Sequence, residues 1–317
     1  MIQNSPAGAQ NVILVTACSG LFYDHYADLL DSIDAVGLKG QFDVGLIDLG
    51  MNEVQLQALR HRGVKIVPPH WPIDPPAGQQ ATHLLAFAAK PFAKDFFPGY
   101  ETYVWMDADM WAQTADFWPA LVDGAREAGC AVPIEVDAGY SPMTWRHRAW
   151  KLRHFFNSYG PLKALQLYQQ PMINNGVFAV QADAPHWQVW QKHFERMVSR
   201  TERTLAIDQL ALMAANLLEG PKLSLIDTRF NWVCSLGTPE FDLERQQFVK
   251  PGARHSAPAA GEPISILHIT TPARGRSFPV LQSDGATVQR YLHFPGGRIV
   301  AQLNQASAEQ PASHLPA

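Results

Sequence analysis

The chain has 317 residues, a formal net charge of −4 and a hydrophobic content of 47%. This length allows one large α/β domain or two smaller ones, and the apolar content is ample for a buried core. The slightly acidic balance disfavours a general nucleic-acid binder, because affinity for a phosphate backbone requires clustered lysine and arginine.

The first part of the chain alternates between strand and helix patterns. Strands are predicted at residues 12–16, 42–47, 64–67 and 103–106, and helices around residues 26–33, between Asn52 and Gly63, and at residues 81–97. Asn52 is a typical helix N-cap and Gly63 a typical helix stop. Strands separated by helices of this length favour a mostly parallel sheet with right-handed crossovers, so residues 1–110 are expected to form a Rossmann-like half.

The second part of the chain continues the α/β pattern without a linker or an internal repeat. Helices are predicted at residues 115–128, after a cap at Asp183, and at residues 206–218 before Gly220; strands are predicted at residues 131–136, 175–180 and 264–269. We therefore expect a single compact domain whose second half is formed by residues 111–306. The end of the chain, residues 307–317, is small, polar and proline-containing, which favours a disordered tail.

The segment from Tyr103 to Met110 is an apolar run that ends on two acids, Asp107 and Asp109. A buried strand that ends in Asp-x-Asp places two carboxylates at the carboxyl edge of a sheet, where open α/β folds bind ligands. Carboxylate oxygens suit Mg²⁺ or Mn²⁺, and two acids leave coordination positions free for phosphate oxygens. The motif alone is not specific, because roughly one Asp-x-Asp is expected by chance in such a chain.

Several other segments surround this motif in a defined order. They are Val12–Cys18, Lys90, Trp105–Met110, Ile173–Val177, Asp208-Gln209, Ile266–Ile269 and Arg274. This ordered set resembles the GT-A glycosyltransferases, in particular the retaining glycosyltransferase family 8 that includes glycogenin and lipopolysaccharide galactosyltransferases. The resemblance implies a GT-A fold, with a Rossmann-like, mixed and mostly parallel sheet flanked by helices. The loop after Val12–Thr16 departs from the family pattern, which often has acids and an Asn-Tyr pair.

The resemblance also implies roles for individual residues. Asp107, Asp109 and His268 would be ligands of Mn²⁺ or Mg²⁺, which stabilises the negative charge that develops on a diphosphate leaving group. The residues that would contact the nucleotide sugar are Thr16, Ala17, Cys18, Lys90, Asn175 and Arg274, the last through phosphate oxygens. Asp208 would bind the donor sugar, and Gln209 would lie near its anomeric carbon. A neutral amide is a poor nucleophile, so the resemblance favours front-face substitution with retention.

Each of these residues also has a plain structural explanation. The alternatives are a solvated turn for the Asp-x-Asp motif, a core residue for His268, a helix cap for Asp208, a turn for Asn174-Asn175, and solvated positions for Lys90 and Arg274. The sequence leaves these alternatives open, because it does not fix where the side chains lie in the fold.

Residues 144–156 form the one strongly basic stretch, and aromatic residues are interleaved with the basic ones. Basic amphipathic helices bind anionic membranes or anionic acceptors, so peripheral membrane contact is one hypothesis. A solvated lid helix whose aromatic side chains lie in the core is the simpler alternative. Tyr140 and Trp145 would border an acceptor cleft, since aromatic faces suit sugar rings.

These observations favour a metal-dependent glycosyltransferase that moves a hexose from a nucleoside diphosphate sugar, such as a UDP-sugar, to a hydroxyl of a glycan or lipid-linked glycan. In this hypothesis residues 1–110 form the nucleotide-sugar-binding half, and residues 111–306 form the acceptor and catalytic half of the same domain. One alternative is a GT-A protein that binds a nucleotide sugar or a glycan without turnover. An aspartate-nucleophile phosphohydrolase is less favoured, because Trp111 stands where that class carries Thr or Val. A sugar nucleotidyltransferase would open with a glycine-rich loop, which residues 16–20 do not provide.

The cysteines and the N-terminus bear on location. Cys18, Cys130 and Cys234 are widely spaced, so they provide neither a zinc site nor a disulfide framework and favour a reducing compartment. Residues 1–11 lack the features of a secretion signal, and no run approaches the ~18 apolar residues of a membrane span. We expect a cytoplasmic protein, peripheral at the inner face of the membrane if residues 144–156 bind lipid.

Overall fold

The computed structural model describes residues 11–75, 77–78, 80–200, 206–252, 261–270 and 274–309, with the backbone alone for residues 306–309. Within these ranges, none of the helices combines the length and the apolar character that a membrane span requires. The strands are β1 Val12–Cys18, β2 Asp43–Asp48, β3 Lys65–Val67, β4 Thr102–Met106, β5 Met110–Ala112, β6 Cys130–Pro133, β7 Val177–Gln181, β8 Ser224–Ile226, β9 Trp232–Val233, β10 Glu240–Asp242, β11 Gln247–Val249, β12 Ile266–His268, β13 Ser277–Leu281 and β14 Thr287–Tyr291. The α-helices are α1 Tyr23–Ala35, α2 Glu53–His61, α3 Leu85–Ala89, α4 Ala93–Phe96, α5 Phe117–Ala128, α6 Trp145–Tyr159, α7 Pro161–Tyr168, α8 His186–Arg200, α9 Asp208–Glu219 and α10 Arg298–Glu309.

Seven strands form one large sheet in the order β3-β2-β1-β4-β7-β6-β8. Strand β1 pairs in parallel with β2 and β4, and β2 pairs in parallel with β3. Strand β7 runs antiparallel to both of its neighbours, while β6 pairs in parallel with β8. The sequence prediction of a mixed, mostly parallel sheet in an α/β fold is therefore confirmed.

The two faces of this sheet pack into separate hydrophobic layers. Every residue of β1 and of β4 is buried, as expected for central strands covered on both sides. One layer contains Trp105, Phe178 and Trp190, and the other contains Leu14 and Val104. Because successive side chains of a strand point to opposite faces, the apolar run before Asp-x-Asp contributes to both layers. This double burial fixes the end of β4, and with it the position of the two acids.

Local signals set two helix ends as predicted. Asn52 caps α2: its side chain accepts a hydrogen bond from the Gln55 backbone N–H, and the Gln55 side chain accepts one from the Asn52 N–H. Helix α9 ends at Gly220, which adopts a left-handed conformation that glycine tolerates without steric cost. These ends depend on short-range chemistry, which explains why the sequence is sufficient to predict them.

The continuous helix predicted at residues 81–97 is wrong. The segment divides into a 3₁₀ turn at Thr82–Leu84, helix α3, a second 3₁₀ turn at Lys90–Phe92, and helix α4. Pro91 explains the break, because it lacks a backbone N–H and its ring clashes with the preceding helical turn. As a result, Lys90 lies in a tight turn, and its side chain is buried.

Two further local predictions differ from the structure. Helix α8 begins at His186 and not at a cap on Asp183, because residue 184 precedes Pro185 and is disfavoured in helical conformation. Helix α10 continues to Glu309, so the predicted tail is helical at residues 307–309, while residues 310–317 lie outside the described residues.

A second sheet of three strands, in the order β5-β12-β9, carries the late histidine. Strand β12 runs antiparallel to β5 with His268 opposite Met110, and the Ile269 N–H donates to the Asp109 carbonyl at 2.9 Å. Because Met110 directly follows Asp109, this pairing places His268 beside the Asp-x-Asp motif. The small sheet, and not the large one, therefore completes the site.

Candidate active site

A cavity of about 490 Å³ opens at the carboxyl ends of the parallel strands β1 and β4. Ala17 and Cys18, at the end of β1, line one side of it, and Asp107 and Asp109 follow β4. Strand β7 runs in the opposite direction, so its entry at Asn175 lies at the same edge. The cavity thus occupies the position where open α/β sheets bind ligands.

Lys90 is buried between two carboxylates of the cavity wall. Its Nζ lies 3.1 Å from Oδ1 of Asp107 and 3.6 Å from Oδ2 of Asp208, and its side chain is 5% exposed. Burial alone would lower the pKa of Lys90, but the negative charges of Asp107 and Asp208 raise it above the ordinary value. Lys90 is therefore a charged group held inside the site, which excludes the solvated alternative.

Asp208 begins helix α9 with its side chain directed at the cavity. Ile207 occupies the N-cap position, and Oδ2 of Asp208 accepts a hydrogen bond from Nδ2 of Asn175 at 2.7 Å. Burial raises the pKa of Asp208, against the opposing influence of Lys90. Gln209 follows in the cavity lining. The start of α9 thus supplies a carboxyl group and an amide to the same wall as Asn175.

Asp109 is held by two groups from the C-terminal part of the chain. A terminal nitrogen of Arg274 lies 2.5 Å from Oδ2 of Asp109, and Nε2 of His268 lies 3.4 Å from Oδ1. Burial alone would raise the pKa of Asp109, but the hydrogen bonds and charges of His268 and Arg274 hold it well below its usual range. Asp109 is consequently ionised at neutral pH, as an oxygen ligand of a metal must be.

A chain of side-chain amides orients the imidazole of His268. Oδ1 of Asn231 lies 3.1 Å from Nδ1 of His268, and Nδ2 of Asn231 donates to Oδ1 of Asn174 at 2.8 Å. The amide oxygen of Asn231 therefore faces the ring and accepts from Nδ1–H, so the neutral ring has its lone pair on Nε2. Asn174 in turn donates to Glu135 at 2.5 Å. Nε2 thus faces the carboxylate of Asp109: it donates to Oδ1 when the ring is protonated, and it offers a lone pair to a metal when the ring is neutral.

Gly176 allows β7 to enter close to the histidine. A Cβ atom at this position would lie 2.7 Å from Cε1 of His268 and 2.6 Å from Cε of Met110. Both distances are shorter than a real Cβ contact, so a larger residue would displace the ring. The Asn-Gly sequence is therefore explained by close packing against the site, in addition to its turn.

The donor set of Asp107, Asp109 and His268 fits a hard divalent ion in its chemistry. The 3.4 Å between His268 and Asp109 is close to the roughly 3 Å that separates adjacent ligands bound at ~2.1 Å to one ion. Asp107 instead contacts Lys90 and accepts a hydrogen bond from Nε1 of Trp105 at 2.8 Å. Across the described ranges, no three His, Cys, Asp or Glu side chains converge on one position. Two ligands are thus in place, and the third would have to rearrange its contacts.

Arg274 offers an additional hydrogen-bond donor to an anion. Its guanidinium group stacks on the ring of Phe22 at 4.0 Å, and its Nε–H is buried without an acceptor among the described residues. A buried donor without a partner is costly, so a phosphate oxygen at this point would be stabilising. Arg274 therefore combines a charge already paired with Asp109 and an unused donor in the cavity wall.

Ten of the predicted site residues line this one cavity: Ala17, Cys18, Lys90, Asp107, Asp109, Asn175, Asp208, Gln209, His268 and Arg274. Thr16 does not, because it is fully buried and donates from Oγ1 to the Met106 carbonyl at 2.9 Å. Burial raises the pKa of the Cys18 thiol, so that residue is a neutral wall and not a nucleophile. Phe22 and Asn231 escaped prediction, since nothing in their local sequence indicates contact with Arg274 or His268.

Comparisons with known proteins identify the fold. No protein-family model matches the chain, and no curated protein matches its sequence. Among solved structures, the chain is similar to the galactosyltransferase LgtC in complex with donor and acceptor sugar analogues, at 12% identity and a TM-score of 0.53, over 92% of this chain and 95% of that one. It is also similar to the bifunctional glycosyltransferase WbbM in its apo form, at 11% identity and a TM-score of 0.52, over 84% of this chain and 47% of that one.

The structure thus defines a protein with the GT-A fold found in these glycosyltransferases. The fold class that the sequence motifs imply is confirmed. The candidate site lies at the edge of the sheet that carries the Asp-x-Asp motif, where the carboxylate of Asp109 and Nε2 of His268 meet the unpaired donor of Arg274.

Proposed function

We propose that the protein is a metal-dependent glycosyltransferase that moves a hexose from a nucleoside diphosphate sugar, in particular a UDP-sugar, to a hydroxyl group. The observation that carries this proposal is the meeting of Asp107, Asp109, His268, Lys90 and Arg274 in one cavity at the ligand-binding edge of a GT-A sheet. The similarity to LgtC, which is a galactosyltransferase bound to donor and acceptor sugar analogues, supports the same assignment.

The metal-binding part of the site consists of Asp107, Asp109 and His268, which would hold Mn²⁺ or Mg²⁺. A bound divalent ion acts as a Lewis acid and stabilises negative charge on the diphosphate leaving group. The fixed Nδ1–H of His268 supports this role, because a hydrogen bond on one imidazole nitrogen orients the other toward the metal. Arg274 would donate from its free Nε–H to a phosphate oxygen and add positive charge where the leaving group becomes negative.

The sugar-binding part of the site consists of Asn175, Asp208, Lys90 and Gln209. Lys90 links the two parts, since its ammonium group contacts the metal-side Asp107 and the sugar-side Asp208. Gln209 would lie near the anomeric carbon, where its amide can hydrogen-bond but is a poor nucleophile. The proposal includes retention at the anomeric carbon, by attack of the acceptor on the same face as the leaving group, because the resemblance to the retaining family implies it and a neutral amide does not favour a covalent intermediate.

The acceptor in this proposal is a hydroxyl of a glycan or a lipid-linked glycan. The lipid-linked form would be reached most directly if residues 144–156 contact a membrane, and the proposal includes this contact. A cytoplasmic location at the inner face of the membrane agrees with the three cysteines, each of which is free and buried. Residues 1–110 would form the nucleotide-sugar-binding half of the domain, and residues 111–306 the acceptor and catalytic half, which also contributes His268 and Arg274 to the donor site.

Release of free UDP tests the proposal. The protein is incubated with Mn²⁺ and a panel of UDP-hexoses, with and without glycan acceptors, and its melting temperature is measured with UDP and Mn²⁺ separately and together. We expect UDP release and a rise in melting temperature that requires both ligands. The Asp109→Asn variant should lose both effects, whereas Asp123→Asn, at an exposed residue remote from the cavity, should retain them.

The possible failures of this experiment are distinct. A rise in melting temperature without UDP release from any donor would favour the alternative of a GT-A protein that binds nucleotide sugar without turnover. The absence of both effects would reject the donor site itself. The GT-A fold does not support the phosphohydrolase alternative. Release of phosphate from a generic phosphomonoester would be evidence in its favour.

A further inference from the structure

Helices α6 and α7 form a hairpin, and α6 departs from the usual division into an apolar inner face and a polar outer face. The buried face of α6 carries Lys151, His154 and Ser158 beside Phe155. Lys151 donates from Nζ to the carbonyls of residues 168 and 170, at 3.0 and 2.7 Å, so its charge is used inside the fold. A surface helix ordinarily buries its apolar face and exposes its polar one. Here polar groups occupy much of the protein side.

The outer face of this hairpin is correspondingly apolar. Five large side chains are exposed on it: Trp145 at 73%, Leu152 at 39% and Phe156 at 53% on α6, and Leu162 at 82% and Leu165 at 55% on α7. The α6 residues follow the spacing of one helical stripe, and Leu162 and Leu165 lie one turn apart on α7, which begins directly after Gly160. We call these five residues the outer apolar face. Contiguous exposed apolar surface of this kind marks an interaction site.

The charge around the outer apolar face has one sign. Residues 138–182 contain no Asp or Glu, although the whole chain has a net charge of −4. Arg146, Arg148, Arg153 and Lys163 are all exposed on the two helices, and none forms an ion pair within the described residues. Unpaired cations around exposed apolar side chains can bind a surface that is both anionic and apolar.

We propose that the outer apolar face, with its four surrounding cations, binds the surface of an anionic lipid membrane. Trp145 and Phe156 would enter the interface between headgroups and acyl chains, which favours aromatic side chains. The four cations would lie at the level of the anionic headgroups, where each Lys or Arg strengthens binding by roughly fivefold. A soluble acidic partner would be matched by the charges alone and would leave the leucines and aromatics without an apolar contact.

The position of this face relative to the cavity gives it a consequence for the acceptor. Trp150 belongs to helix α6 and also lines the cavity, together with Gln209. The same helix therefore contributes the outer apolar face and, through Trp150 on another of its sides, part of the cavity wall. Resting on the function proposed above, this geometry points to an acceptor hydroxyl carried on a membrane lipid and presented from the bilayer surface.

Vesicle binding tests the surface without nucleotide or metal, so its failure is distinguishable from a failure of the proposed function. The full chain is sedimented with vesicles of phosphatidylcholine containing 30% phosphatidylglycerol, and with vesicles of phosphatidylcholine alone. We expect binding to the anionic vesicles only, weakened at least tenfold when NaCl is raised from 100 to 500 mM.

Matched variants assign the binding to this face. Leu162→Glu should weaken vesicle binding at least tenfold, whereas Val54→Glu, at 79% exposure on helix α2, should not. Lys163→Glu should weaken it by roughly tenfold or more, whereas Lys39→Glu, also at an exposed lysine, should have little effect. All four substitutions lie outside the cavity, so UDP release with a water-soluble acceptor should be unchanged, which also verifies that the variants are folded.

Three results would overturn this proposal. One is the absence of binding to anionic vesicles. Another is binding that both members of a matched pair reduce equally. The third is a mass in solution that corresponds to a dimer and returns to a monomer in Leu162→Glu without vesicle binding, because the face would then be covered by a second copy of the chain.

Discussion

Replacement of Lys90 by methionine should show how much the buried charge of Lys90 contributes to the stability of the protein. Lys90 Nζ lies 3.1 Å from Asp107 and 3.6 Å from Asp208, and its side chain is 5% exposed. At an effective dielectric constant of ~20, each attraction amounts to roughly 5 kcal/mol. The cost of removing the charges from water offsets part of this attraction. Removal of one partner from a buried charge cluster costs roughly 3–5 kcal/mol, because the remaining charges stay buried. We expect Lys90→Met to lower the free energy of unfolding by about this amount at pH 7–8.

The cost should depend on pH in a defined direction. Burial already raises the pKa of Asp208 in the folded protein, and the variant loses Lys90, which opposes that rise. A carboxyl group whose pKa is higher in the folded than in the unfolded state binds a proton on folding, so stability falls as the pH rises through the interval between the two values. The penalty of Lys90→Met should therefore be smallest at pH 5 and grow toward pH 8.

Urea denaturation at pH 5, 6, 7 and 8 measures this penalty for Lys90→Met against the wild-type protein. Lys192→Met is the matched control, because Lys192 forms an ion pair with Glu219 but is 65% exposed. Solvent screens such a pair, so the control should change stability little and without a trend in pH. A penalty for Lys90→Met that is independent of pH, or no larger than that of the control, would refute the electrostatic reasoning.

Three further substitutions probe the metal and sugar parts of the site. Asp109→Asn should retain the fold and abolish Mn²⁺-dependent UDP binding in calorimetry, so unchanged binding would show that the carboxylate is not a ligand. Asn231→Ala removes the acceptor that orients His268 and should weaken Mn²⁺ affinity by roughly 10–100-fold, as measured by calorimetry; an unchanged affinity would contradict the proposed orientation. Gln209→Ala should lower the rate of UDP release with little effect on UDP affinity, and a collapse of affinity would place Gln209 at the nucleotide instead of the anomeric carbon.

Local patterns determined the strands of the large sheet except β8, which was not predicted, and the position of the two acids. Strand β4 is predictable because a run of apolar residues can be buried on both faces of a central strand, and Asp107 necessarily follows at its carboxyl end. The caps at Asn52 and Gly220 are equally local. The break in the helical segment around Lys90 was not predicted, although Pro91 signals it. The apolar residues of this segment recur with the period of a single helix, which hides the break.

The orientation of helix α6 depended on the surrounding fold. The sequence permitted a lid helix with its aromatics in the core, and the structure divides them, since Phe155 is fully buried while Trp145 and Phe156 are exposed. The inner face gains buried contacts for Lys151 from carbonyls at the end of α7 and just after it. Periodicity alone does not choose between the two faces when each carries both apolar and basic residues.

The sequence by itself determined the fold class, the Asp-x-Asp edge and the identity of ten of the residues that line the cavity. The tertiary structure alone decided that His268 faces Asp109, that Arg274 pairs with Asp109 while its Nε–H stays free, and that Lys90 joins Asp107 to Asp208. The physical reason is that strand and cap signals arise between neighbours in the chain. A site assembled from β4, α9 and the small sheet depends instead on the pairing of β5 with β12, which brings distant segments together.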